Sequence, residues 1–137
     1  MSDYLVDNSV WSRLVLGDQT ITARLRQIER APSDLFVTCP PQVLEFCHSA
    51  RTPEEHALHR SRICLGFPLE RAPDESLVLD LQSRLWSKGL VRAAGAVDIL
   101  IAGYAIVNDA IVLASDHDFC HIATVSDLRH EYIAPSR

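Results

Sequence analysis

Ile111-Val112-Leu113-Ala114-Ser115-Asp116-His117-Asp118 runs from four consecutive apolar residues straight into two acids. A run this short with no polar face suits a strand buried on both sides, as in parallel sheets covered by helices. The same pattern opens the chain, where Tyr4-Leu5-Val6 ends at Asp7. Leu35-Phe36-Val37 is a third short apolar run, closed by Cys39-Pro40-Pro41.

The segments between these runs carry helical spacing. Ser9 precedes Trp11, Leu14 and Val15, and Ile21, Leu25 and Ile28 predict a helix over Thr20 to Arg30 that the Ala31-Pro32 step stops. Pro40 and Pro41 are placed to open a helix carrying Val43, Leu44, Phe46 and Cys47, with Glu45 in its first turns. Thr52-Pro53-Glu54-Glu55 is a capping box with proline at the first helical position, which predicts a helix to about Leu65. Asp74 caps a long helix through Leu77, Leu81, Leu85 and Trp86 to Gly89. Val97 to Val107 forms an almost wholly apolar helix with Asp98 at its start. A brief strand is expected around Leu69 and an edge strand at Tyr132-Ile133. Short strands alternating with helices indicate an α/β fold with a parallel sheet covered on both faces. No internal repeat, linker or low-complexity segment divides residues 1–137, so one domain is expected.

With 137 residues, 47% of them hydrophobic, and only seven prolines and five glycines, the chain can bury a core. Its longest apolar stretch, Ile99 to Val107, is half of a membrane span. The N-terminus carries no charged and apolar regions of a secretory signal, so a cytoplasmic location with no membrane association is expected. Cys39, Cys47, Cys64 and Cys120 form no C-x-x-C pair and are read as reduced, mostly buried thiols. The nearest metal pattern is His56-x-x-His59 with Cys47-His48 upstream; histidines three apart on a charged helix are read as solvated.

The net charge of −5 argues against a uniformly basic nucleic-acid binder. Five of the acids, Asp7, Glu45, Asp98, Asp116 and Asp118, stand in apolar contexts. Setting them aside leaves thirteen acids against thirteen bases, twelve of which are arginine, a side chain suited to bidentate phosphate contact.

In an open parallel sheet the functional crevice lies beyond the carboxyl ends of the strands. Asp7 and Asp116 fall there directly, and Glu45 and Asp98 sit on helices that start near the same edge. Four converging carboxylates cannot all stay ionised without compensation, so they raise one another's pKa or bind hard divalent cations. A structural role is open to each alone: Asp7 and Asp98 as caps, Glu45 near a helix N-terminus. Ser9 is read either as a cap or as a support for Asp7 or for a water at the metal. His117 and His121 are read as surface residues near the site.

Leu5-Val6-Asp7-Asn8-Ser9-Val10-Trp11, Val43-Leu44-Glu45-Phe46, Asp98-Ile99-Leu100-Ile101-Ala102 and Asp116-His117-Asp118-Phe119-Cys120-His121-Ile122-Ala123 resemble, in order and spacing, the motifs of a PIN domain. Within that family the resemblance is to the VapC-type toxins. It implies a three-layer α/β/α fold with a short, mainly parallel central sheet. It further implies an endoribonuclease dependent on Mg²⁺ or Mn²⁺, usually a homodimer, that cleaves RNA and is neutralised by a small cognate antitoxin. The family's acidic quartet falls on Asp7, Glu45, Asp98 and Asp116, with Asp7, Asp98 and Asp116 as metal ligands and Glu45 orienting or deprotonating the water. Asp118 and Ser9 match accessory positions. Many members carry Thr or Ser two residues before the fourth acid, where this chain has Ala114.

The alternative is a catalytically inactive PIN-like module that binds RNA or protein, against which the intact quartet argues. A phosphoacceptor receiver domain expects a late lysine before proline, but the only lysine here is Lys88. A dehalogenase-like phosphatase expects D-x-D after its first strand, whereas Asp116-x-Asp118 lies near the C-terminus.

Overall fold

The computed structural model describes residues 1–136. Its centre is a five-stranded, wholly parallel sheet in the order β3-β2-β1-β4-β5, built from β1 (Asp3–Val6), β2 (Leu35–Thr38), β3 (Phe67–Pro68), β4 (Ile111–Ala114) and β5 (Arg129–Tyr132). The helices are α1 (Asn8–Val15), α2 (Gln19–Arg30), α3 (Pro40–His48), α4 (Pro53–Ile63), α5 (Glu75–Ser87), α6 (Ala96–Val107) and α7 (Asp118–Ala123).

Alternation along the central strands creates the two outer layers. Tyr4 and Val6 of β1 and Leu113 of β4 face Val10, Ile21, Leu25 and Ile28 of α1 and α2. Leu5, Val112 and Ala114 face the other way, onto Leu81 and Leu85 of α5, Ile99, Ile101, Ala102 and Ala105 of α6, and Phe119 and Ile122 of α7. Both faces of β1 and β4 are thus covered, which is why those strands read as unbroken apolar runs. The three-layer α/β/α expectation holds, and the sheet is parallel throughout.

Several local expectations are refined or corrected. The turn after α1 is capped afresh by Asp18, whose Oδ1 accepts from the Ile21 N–H at 3.0 Å and starts α2. β3 pairs at Phe67 and Pro68, just before Leu69. β5 begins at Arg129, three residues before Tyr132, and Ile133 lies beyond it. It is mostly polar because an edge strand beside water has no need of an apolar pattern. Only Cys39 and Cys47 are buried; Cys64 is exposed and Cys120 half-buried. His59 is not solvated: its ring packs against Phe46 with centroids 4.8 Å apart.

Arg24 clamps the same edge strand. Its Nε and Nη2 donate to Glu131 at 2.7 and 2.9 Å, and its guanidinium lies over the Tyr4 ring, so it is not a free surface cation. No helix among the described residues is long and apolar enough to cross a membrane.

Candidate active site

β1 and β4 lie side by side and end together. The Asp7 N–H donates to the Leu113 carbonyl at 2.9 Å, extending the pairing by one residue and carrying Asp7 to the carboxyl edge of the sheet. Asp7 is buried, at 4% exposure. It does cap α1, its Oδ2 accepting from the Ser9 N–H at 3.0 Å. The capping and cluster roles coexist, because one carboxylate oxygen is engaged by the helix and the other stays available.

Glu45 reaches the cluster through a residue the sequence reading missed. Gln42, 2% exposed, donates from Nε2 to the Val6 carbonyl at 2.7 Å and accepts from the Cys39 N–H at 3.3 Å. It therefore pins the first turn of α3 to the end of β1, and Glu45 follows one turn later, half-buried. A Gln three residues after a helix start is the capping-box position, a signal present in the chain.

Asp98 occupies the third position of α6, whose cap is Gly95, so it is not the N-cap. The apolar length of α6 drives it into the core and brings its first turn to the same edge. One carboxylate oxygen each from Asp7, Glu45 and Asp98 lies within 4.8 Å of the others.

Asp116 follows β4 and Asp118 opens α7, a helix the sequence reading missed. The loop joining them is fixed by hydrogen bonds. The Ser115 N–H donates to Ser9 Oγ at 2.9 Å, Ser115 Oγ donates to the Ile133 carbonyl at 2.8 Å, and the Asp118 N–H donates to Asp116 Oδ1 at 3.2 Å. Ser9 therefore neither caps α1 nor touches Asp7 through its hydroxyl; it ties α1 to the loop that carries Asp116. The hydroxyl missing at Ala114 is matched by that of Ser115, one residue later and bonded elsewhere.

Crowding shifts the acids as expected for like charges at a partly dry edge. Asp98 is raised to about 8, first by burial, then by a hydrogen bond with the Asp118 carboxyl and by the charges of Asp7, Asp118 and Glu45. Burial and the charges of Asp7 and Asp116 push Glu45 up. Burial and the charges of Asp7 and Asp118 raise Asp116, while Arg13 and the Asp118 N–H oppose the rise. The donor set is all carboxylate, with no sulfur or imidazole, and suits a hard divalent cation. Charge on such a cation would offset the repulsion that raises these pKa values.

The PIN domain family matches the chain over residues 4–125. Ribonuclease VapC6 of Mycobacterium tuberculosis is 32% identical over 103 residues, covering 73% of this chain and 81% of that protein. The structure of VapBC2 from Rickettsia felis bound to a promoter DNA fragment aligns with a TM-score of 0.75 at 15% identity, over 96% of this chain and 99% of that one. VapBC-1 from nontypeable Haemophilus influenzae aligns with a TM-score of 0.73 at 19% identity, over 95% and 97%.

Proposed function

Because this chain belongs to the PIN-domain family, among its VapC-type ribonuclease toxins, we propose that Asp7, Glu45, Asp98 and Asp116 form the active site of a metal-dependent endoribonuclease. The observation that carries this reading is the approach of three carboxylates from three separate elements to within 4.8 Å, one of them raised to about 8. Packing alone would not favour such an arrangement, since its repulsion lowers stability.

Asp7 and Asp98 would hold a Mg²⁺ or Mn²⁺ ion together with Glu45 or Asp116, and Asp118 would support Asp98. When bound, the ion supplies positive charge that polarises the scissile phosphate and acidifies water. Asp98 must release its proton for this role, so cation binding strengthens as pH rises towards 8. Glu45, raised by burial and then by its acidic neighbours, orients the attacking water and accepts a proton from it. The water oxygen bonds to phosphorus, the ribose O3′ leaves and takes a proton, and the products are a 5′-phosphate and a 3′-hydroxyl. Ser9 and Gln42 act as positioning residues, one for the Asp116 loop and one for α3.

Two surfaces fit the expected protein partners. Leu44 and Val97 are 70% and 42% exposed and line one cleft beside Glu45, an apolar face suited to a second copy of the chain. Trp11, Leu14, Val15, Phe46 and Ile63 line a groove of about 230 Å³ rimmed by Arg62, which suits an apolar antitoxin segment bearing an acid. The relevant compartment is the cytoplasm, where RNA and antitoxin are present.

The test is cleavage of RNA by purified protein with Mn²⁺, with the products' ends sequenced. Discrete cuts bearing 5′-phosphates, absent in EDTA and in Asp7→Asn, are expected. Undamaged RNA under all metal conditions would leave the inactive binding module as the better reading.

A further inference from the structure

An RNA strand approaching five acids needs positive charge beyond the scissile phosphate as well as at it. Arg13 is placed to provide it. It lies on α1 one turn after Ser9, half-buried, and its Nη1 donates to the Ser9 carbonyl at 3.0 Å. Among the described residues no carboxylate lies within 4.0 Å of its guanidinium. Most of its donors are therefore uncommitted to protein acceptors, yet its charge is felt at Asp116.

Next to Asp116 along the chain stands one member of an aromatic pair. His117 and Tyr132 stack with centroids 4.6 Å apart and planes 26° from parallel. His117 is exposed and Tyr132 is 38% exposed, one just beyond the buried strand β4 and the other at the end of the edge strand β5. The Ser115 bonds to Ser9 and to Ile133 hold the loop between α1 and the end of β5, so the pair is already oriented. A preformed stack open on one side accepts a nucleobase at low entropic cost.

We propose that Arg13 and the His117–Tyr132 pair form the subsite for a nucleotide flanking the scissile phosphate, Arg13 binding its phosphate and the stack its base. The inference rests on the endoribonuclease reading above and deepens it.

Binding is measured by fluorescence anisotropy on the Asp7→Asn protein with a labelled, mixed-sequence single-stranded oligoribonucleotide across a salt series. Adding Arg13→Gln should weaken binding about tenfold and lower the salt slope by about 0.7, the loss of one single-strand phosphate contact. Arg13→Lys should restore the slope. His117→Ala should weaken binding roughly fivefold or more with the slope unchanged, and His117→Phe should recover it. Thermal melts of each variant separate these effects from unfolding, and the exposed His117 substitutions leave the fold intact. Parental affinity and slope in both Arg13→Gln and His117→Ala, in a protein that without substitutions cuts RNA, would overturn the subsite alone. Failure of the unsubstituted protein to cut RNA, and of the Asp7→Asn protein to bind it, would overturn the endoribonuclease reading and the subsite with it.

Discussion

Replacing Asp98 by Asn tests the electrostatics of the site through stability, independently of any RNA assay. The folded protein holds the Asp98 proton up to about 8, against a usual 3.8. Between those values the native state binds more protons than the unfolded chain, so stability falls as pH rises and the loss is complete above about 8. A shift of about four units has a ceiling near 6 kcal/mol. Water reaches part of this carboxylate and screens it, which brings the expected contribution to about 2 kcal/mol. Asparagine keeps the shape, can donate to Asp118 and never ionises. Near pH 5 the native side chain is still neutral and most of this loss is yet to come, so the variant should melt only slightly higher than the parent. Near pH 8.5 in EDTA the variant should melt roughly 6 to 8 °C higher. Millimolar Mn²⁺ should raise the parent more than the variant, closing or reversing that gap. Circular dichroism melts at the two pH values, with EDTA and with Mn²⁺, suffice. A difference between parent and variant that stays constant with pH in EDTA would refute the reasoning.

Asp7→Asn should reduce RNA cleavage by about a hundredfold or more while preserving stability, since Asn is an equally good cap for α1; a cleavage assay beside a melt in EDTA checks both. Ser9→Ala leaves the Ser115 N–H without its 2.9 Å acceptor and should cost about 1 to 2 kcal/mol in urea unfolding, with a further fall in cleavage as the Asp116 loop loosens. Gln42→Leu strands the Val6 carbonyl and the Cys39 N–H and should cost about 1 to 3 kcal/mol by the same measurement, with a weaker Mn²⁺ effect on melting.

How much of this was legible in the chain depends on how each segment meets water. β1, β4 and α6 are enclosed, so their apolar runs are unmistakable, and the acids that end or interrupt those runs stand out. β5 lies at the edge, and Arg129-His130-Glu131-Tyr132 shows no alternation because Arg24, 107 positions away in the chain, holds it through Glu131. The six residues of α7 are too few to display a helical period. The approach of Asp7, Glu45 and Asp98 could be read from the chain, with Asp116 expected beside them, but the support of that cluster could not. Ser9 and Ser115 are 106 positions apart, and only the pairing of β1 with β4 brings them together. Arg13 was invisible for the same reason: its nearness to Asp116 is a product of topology.

The bond from Ser115 Oγ to the Ile133 carbonyl ties the site to the order of synthesis. The carboxylates come from positions 7 to 118, but the loop bearing two of them is braced by backbone laid down after them. A nascent chain that has reached Asp118 holds every acid and still lacks the brace and the β5 pairing. Such a chain on the ribosome is expected to be a poor catalyst until Ile133 has emerged, which postpones a damaging activity until after the acids themselves have been made. Ribosome-bound chains stalled before and after Ile133 has emerged, compared for Mn²⁺-dependent RNA cleavage, would reveal the delay; equal cleavage by both would show that the brace is dispensable.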